Sequence, residues 1–101
     1  MELNQIDSPA EYDELPEERK QFIQAWIRKY LNPINTFNRK HTSYGLKHLI
    51  EKAASGNQYF TNGEFKGAML AAGYEPLDPK AQNLIFKISE KSPGLRLKHE
   101  R

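Results

Sequence analysis

Between Pro16 and Pro33, Phe22, Ile23, Trp26, Ile27, Tyr30 and Leu31 recur at i, i+1, i+4, i+5, i+8 and i+9. That spacing puts six large side chains on one stripe of a helix of 3.6 residues per turn. Glu17 and Glu18 fall in the first turn, where the helix dipole favours anions. Asn32-Pro33 closes the element, because the residue before a proline is pushed out of the helical region. A stripe this wide must be covered, so this helix is expected to be the floor of the core with Trp26 as an anchor. An amphipathic helix for a membrane or a partner is the competing use.

The cover has to come from the chain beyond Pro33. Thr42 or Ser43 is placed to cap a second helix carrying Leu46, Leu49, Ile50 and Ala53 inward, with Gly56 beyond its end. Thr61-Asn62-Gly63-Glu64 has the form of a capping box and opens a third helix with Phe65, Ala68, Met69 and Ala72. Gly73 closes it, and Tyr74 supplies the apolar contact of a Schellman end. Gly67 and Ala71 leave a smooth strip where another backbone could approach. Leu84, Phe86 and Ile88 alternate with Ile85 and Lys87, the pattern of a strand buried on one face, expected to pair with Tyr59–Thr61. The fold expected is a small α+β domain, mainly helical: three helices plus a short two-stranded sheet, winged-helix-like. Residues 1–15 read as an acidic, loosely ordered leader, 16–92 as one domain, and 93–101 as a basic flexible tail.

With 101 residues there is material for one domain and one modest core. No apolar run reaches the roughly 20 residues of a membrane span, and the first residues lack the charge and apolar pattern of a secretory signal. The chain has no cysteine, which excludes disulfides, thiolate metal sites and cysteine nucleophiles and fits a reducing cytoplasm. The net charge of +2 conceals a division. Residues 1–18 carry seven acids and no Lys or Arg; the rest carries all fifteen Lys and Arg against six acids. A basic body attracts polyanions by counterion release.

Catalytic chemistry is sparse. His41, His48 and His99 are the only histidines, and their spacing does not suggest the three or four converging ligands that zinc requires. No Walker A, nucleophile elbow, HExxH or EF-hand pattern occurs, so neither a metal nor another cofactor is expected. His48 with a nearby carboxylate is the one enzymatic option, and geometry decides it. The stretch Phe37–Ala54 is read instead as electrostatic. Arg39, Lys40, His41, Thr42 and Ser43 precede or open a helix, whose free N–H groups can hold a phosphate. Lys47 and Lys52 project from the same helix, and Asn62 and Lys66 lie near the expected exposed start of the third. Tyr44, Tyr59 and Phe60 are candidates for stacking on single strands.

The segment HTSYGLKHLIEKA…YFTNGEFKGAMLAAGY…NLIFKISEKSP, His41 to Pro93, resembles small uncharacterised proteins encoded on mobile elements and phages of Gram-positive bacteria. The resemblance implies a bacterial cytoplasm and carries no site residues with it. The function expected is a non-enzymatic nucleic-acid-binding module with DNA favoured over RNA, contacting phosphates through Arg39, Lys40, Thr42, Ser43, Lys47, Lys52, Asn62 and Lys66. The alternative is a small protein-binding inhibitor or adaptor directed at a host defence nuclease, anti-CRISPR-like, with the acidic leader engaging a basic partner or folding over the basic face as a guard.

Overall fold

The apolar stripe of the first helix is buried as its spacing requires. In the computed structural model, which describes residues 8–53 and 59–97, α1 spans Glu17–Tyr30 and sinks Ile23, Trp26 and Ile27 into the core. Glu17 and Glu18 sit in its first turn and Arg28 and Lys29 in its last, both favourable to its dipole. Further along come α2 (Ser43–Ala53), α3 (Asn62–Ala71) and α4 (Pro93–Leu97), and a 3-10 turn at Pro9–Glu14 precedes them all. The expected terminus at Gly56 lies outside the described residues, as do residues 1–7 and 98–101.

The ends of α3 obey their local chemistry. Glu64 N–H donates to Thr61 Oγ1 and Thr61 N–H donates to Glu64 Oε1, each at 3.0 Å, closing the capping box. At the other end Gly73 takes φ +98°, its N–H bonds the Leu70 carbonyl, and Tyr74 N–H reaches back to Met69. This is the Schellman closure, and the left-handed backbone there favours glycine.

Helix α3 is the centre of the molecule. The 3-10 turn, α1 and α2 all pack on it, and Asn62, Gly63, Phe65, Lys66, Gly67, Ala68 and Met69 are buried. The start of α3 is therefore not exposed. Nor is residue 15 a boundary: Tyr12 and Leu15 belong to the core, with Phe60, Phe65, Phe86 and Ile88 among their fellow members. Ser8 caps the 3-10 turn through Ala10 N–H, with Pro9 at the first position. Glu11 accepts from Thr61 Oγ1 at 2.7 Å, which ties the turn to α3. At the C-terminal side the expected tail is folded through residue 97: Leu95 is fully buried and Gly94 lies against Tyr30 and Trp26.

The expected sheet is absent. Among the described residues there are helices and two isolated antiparallel bridges, Pro33–Ile88 and Thr42–Ile85, and no strand. The architecture is mainly helical, so neither the α+β class nor the winged-helix likeness holds. Leu84, Phe86 and Ile88 are buried in alternation as their pattern requires, but their neighbour is segment 32–43, not Tyr59–Thr61. Ile34 N–H bonds Lys87, Asn38 N–H bonds Phe86 and Ser43 N–H bonds Leu84. One chain thus advances from Ile34 to Ser43 while its partner moves only from Lys87 to Leu84. A ladder needs equal steps on both sides. Here the surplus residues are thrown outward, and Pro33 has no N–H to offer.

Candidate nucleic-acid interface

The surplus residues between Ile34 and Ser43 carry Phe37, Arg39 and Lys40, so the irregular pairing is what presents these side chains. Asn38 holds the excursion in shape. Its N–H bonds Phe86, its Nδ2 donates to the Ile88 carbonyl at 3.1 Å and to Glu90 Oε1 at 2.8 Å, and its Oδ1 accepts from Lys40 N–H at 3.0 Å. The last contact is the local turn that asparagine favours, and it directs Arg39 and Lys40 into solvent, where both are exposed.

His41 points inward. It is 8% exposed, and its Nε2 faces both oxygens of Glu90 at 3.0 and 3.2 Å. The Asn38 hydrogen bond, with that of His41 next, holds the Glu90 carboxyl below the usual carboxylate range, against a smaller opposing effect of burial and helped by the charge of Lys40. Glu90 is therefore held ionised and fixed in place, and its negative charge offsets part of the positive charge around it.

From Arg19 to Ile50 the chain contains no Asp or Glu. Folding lays the end of α1 and segment 32–42 beside 84–92. The two regions, residues 25–42 and 84–92, contribute Arg28, Lys29, Arg39, Lys40, Lys87 and Lys91, with Glu90 as the one carboxylate. All six cations are exposed except Lys87, which is half-buried. The other side of 84–88, where Leu77 N–H bonds Ile85, is flanked by the exposed Glu75, Asp78 and Lys80 of the neighbouring segment. The exposed acids Asp13, Glu14, Glu17 and Glu18 sit in the 3-10 turn and in the first turn of α1, and Glu17 lines one cleft with Arg28.

The expected site residues divide into two groups. Arg39, Lys40 and Lys52 are exposed and Thr42 is half-buried. Ser43, Lys47, Asn62 and Lys66 are buried and, so placed, are not available to a polyanion. Ser43 Oγ donates to Asn62 Oδ1 at 2.9 Å and accepts from Leu84 N–H at 3.0 Å. Asn62 Nδ2 donates to Gln82 O and Asn83 Oδ1, and Lys66 Nζ donates to Gln82 O at 2.9 Å. These groups pin the starts of α2 and α3 to the 82–84 turn. The start of α2 is consequently turned inward: Ser43 N–H bonds Leu84, and Thr42 supplies acceptors to Gly45 and Leu46. Its N–H groups serve the fold, which leaves little for a phosphate.

Lys47 is held by Glu51 Oε2 at 3.2 Å, with the rings of Tyr44 and Tyr59 at 5.1 and 5.0 Å. The tyrosines are exposed, but the charge between them is balanced. Phe60 is fully buried, stacked on Phe22 and covered by the Arg19 guanidinium, whose Nη2 also donates to the Tyr59 carbonyl. His48 Nδ1 lies 3.2 Å from Glu51 Oε1. That carboxylate is already bound by Lys47 and by Phe60 N–H at 3.0 Å, so the pair reads as a clamp between α2 and the segment entering α3. Among the described residues no three His, Cys, Asp or Glu side chains gather as metal ligands, and no helix is long and apolar enough to cross a membrane. His99 is outside them.

Burial alone would raise the Glu51 pKa, but the Phe60 N–H, Lys47 and His48 outweigh it, and the carboxyl titrates below its ordinary value of 4.5. A carboxyl depressed in the fold contributes stability above its unfolded pKa and loses it as pH falls through the folded one. Thermal melts should therefore decline as pH drops below about 4.5. Glu51→Gln should start about 1–2 kcal/mol lower at neutral pH and show a shallower acid slope. Parallel acid slopes for variant and parent would assign the acid loss to other groups.

Arg28, Lys29, Lys87 and Lys91 are not marked by any motif because none of them belongs to a helix start. The acid-free run from residue 19 to 50 marks Arg28 and Lys29, and nothing local marks Lys87 or Lys91. Phe37 is half-buried and lines an open cleft with Ile34, Arg39 and Lys40. Comparison of the chain with known families, curated proteins and solved structures returned no match.

Proposed function

We propose that this protein is a non-enzymatic nucleic-acid-binding module that meets phosphates with the edge built from the end of α1, the 32–42 excursion and residues 84–92. The observation that supports the reading is the cluster at the excursion: Arg39 and Lys40 are exposed there, Lys87 lies over the Phe37 ring, and Glu90, bound by Asn38 and His41, is the carboxylate among them. Such a cluster of cations attracts a polyanion. DNA is put ahead of RNA, as a mobile-element or phage role would require.

Fluorescence anisotropy with short single- and double-stranded oligonucleotides tests the proposal. Binding should weaken steeply with salt, with a log–log slope of roughly −3 if four phosphates are neutralised. Arg39→Ala with Lys40→Ala should reduce affinity about tenfold while leaving the melting temperature near that of the parent, because both side chains are exposed. Failure of every oligonucleotide to shift anisotropy at low ionic strength overturns the proposal.

The exposed carboxylates Asp13, Glu14, Glu17 and Glu18 favour a second reading, an inhibitor or adaptor that engages a basic protein with its acidic end. Removing residues 1–15 is the wrong test, since Tyr12 and Leu15 are core residues. Reversing those four charges is the right one. Loss of a protein partner with oligonucleotide binding intact supports the second reading over the first.

A further inference from the structure

We infer that the nucleic acid taken by this edge is single-stranded, with one base set against Phe37 and Ile34 and the flanking phosphates on Arg39, Lys40 and Lys87; this rests on the proposed nucleic-acid function. The excursion from Ile34 to Lys40 does more than expose charge. It lines an open, shallow cleft of about 330 Å³ with Ile34, Phe37, Asn38, Arg39, Lys40 and Glu90 among its walls. Ile34 is 41% exposed, an apolar surface in the middle of a basic edge. The Lys87 ammonium lies 5.1 Å from the centre of the Phe37 ring, so an aromatic platform and a cation form one unit.

A ring beside cations is the combination that binds single strands, because every base has a face to stack and every nucleotide a phosphate to neutralise. A duplex has no use for the apolar part: its bases are already stacked, and it is read by a helix or a ribbon entering a groove. The 34–40 excursion presents no helix start. The start of α2 is turned inward at Ser43 and α3 is the buried centre of the fold. Glu90 orients the ligand. Its carboxylate repels phosphate, so the backbone is confined to the rim of Arg39, Lys40 and Lys87 and the base is left to enter the cleft.

Anisotropy of a labelled oligo-dT and of a duplex of the same length, at about 50 mM salt, tests this. The single strand should bind at least tenfold more tightly. Phe37→Leu should weaken single-strand binding about tenfold, the order expected for one lost stack, without changing the salt slope, and should leave duplex binding unchanged. Phe37→Tyr, which keeps the ring, should stay within about twofold of the parent. If Phe37→Leu lowers the melting temperature, Ile34→Ser at the exposed wall replaces it and should cost about threefold. Equal affinity for the two forms, or single-strand binding indifferent to both substitutions, overturns the inference and leaves the nucleic-acid reading standing. No binding of either form removes both.

Discussion

Gly67→Ala should lower the melting temperature by roughly 10–20 °C, corresponding to about 2–3 kcal/mol in a domain of this size. A methyl group at residue 67 would overlap the Pro9 carbonyl oxygen and Tyr12 Cβ and would sit 3.2 Å from the Pro9 carbonyl carbon. Backbone atoms cannot step aside as a flexible side chain can, so the 3-10 turn must lift off α3. With it go the Gln24–Tyr12 contact at 3.1 Å and the Thr61–Glu11 bond. Thermal melts by circular dichroism read the loss, and proteolysis within residues 8–15 should accelerate in parallel. Gly45→Ala is the control: nothing lies within 4 Å of its added methyl, and alanine inside α2 should stabilise by about 0.5–1 kcal/mol. A Gly67→Ala protein that melts within about 2 °C of the parent would mean the turn does not need that close approach.

Asn62→Asp should be at least as damaging, about 3 kcal/mol at pH 7. The substitution preserves shape and removes two donors. The Asn62 amide nitrogen donates to the Gln82 carbonyl at 3.0 Å and to Asn83 Oδ1 at 2.8 Å. A carboxylate would face both oxygens at a site only 4% exposed, and like partial charges at that depth are costly. The new carboxyl would have its folded pKa raised, so the deficit should narrow as pH falls through the carboxylate range and the protonated acid donates again. Urea unfolding at pH 7 and pH 4 distinguishes this from a surface role. A base-contacting asparagine would keep its stability as aspartate and lose only affinity.

What could be read in advance was local. The stripe from Phe22 to Leu31, the box at Thr61 and Glu64 and the closing Gly73 each state their structure within one or two turns, and each holds. The Gly67–Ala71 strip also announced a close backbone approach, though not that residues 9–12 would supply it. What could not be read was partner choice across the chain. Residues 84–88 show which of their faces is buried but not which segment lies beside them, and segment 32–43 has no strand pattern of its own. Lys47 and Lys66 read as surface because lysine usually is; their burial depends on a carboxylate and a carbonyl brought close by folding. Tyr12, Leu15 and Leu95 were hidden in polar ends for the same reason. At the candidate interface Arg39 and Lys40 were legible, whereas Lys87 and Phe37 acquire their role only through the uneven pairing.

That pairing also fixes when the protein can assemble. Asn32 receives Ser89 N–H on its carbonyl and gives its own N–H to Ser92 Oγ at 2.8 Å, and Leu95 completes the core beneath them. The end of α1 and segment 32–43 therefore stay uncovered on this side until residues 84–95 have been synthesised. Closure between partners nearly sixty residues apart is an entropically slow step. A nascent chain paused before residue 84 can already stack Phe22 on Phe60, but Trp26 and Tyr30 still lack the Gly94 backbone that lies against them.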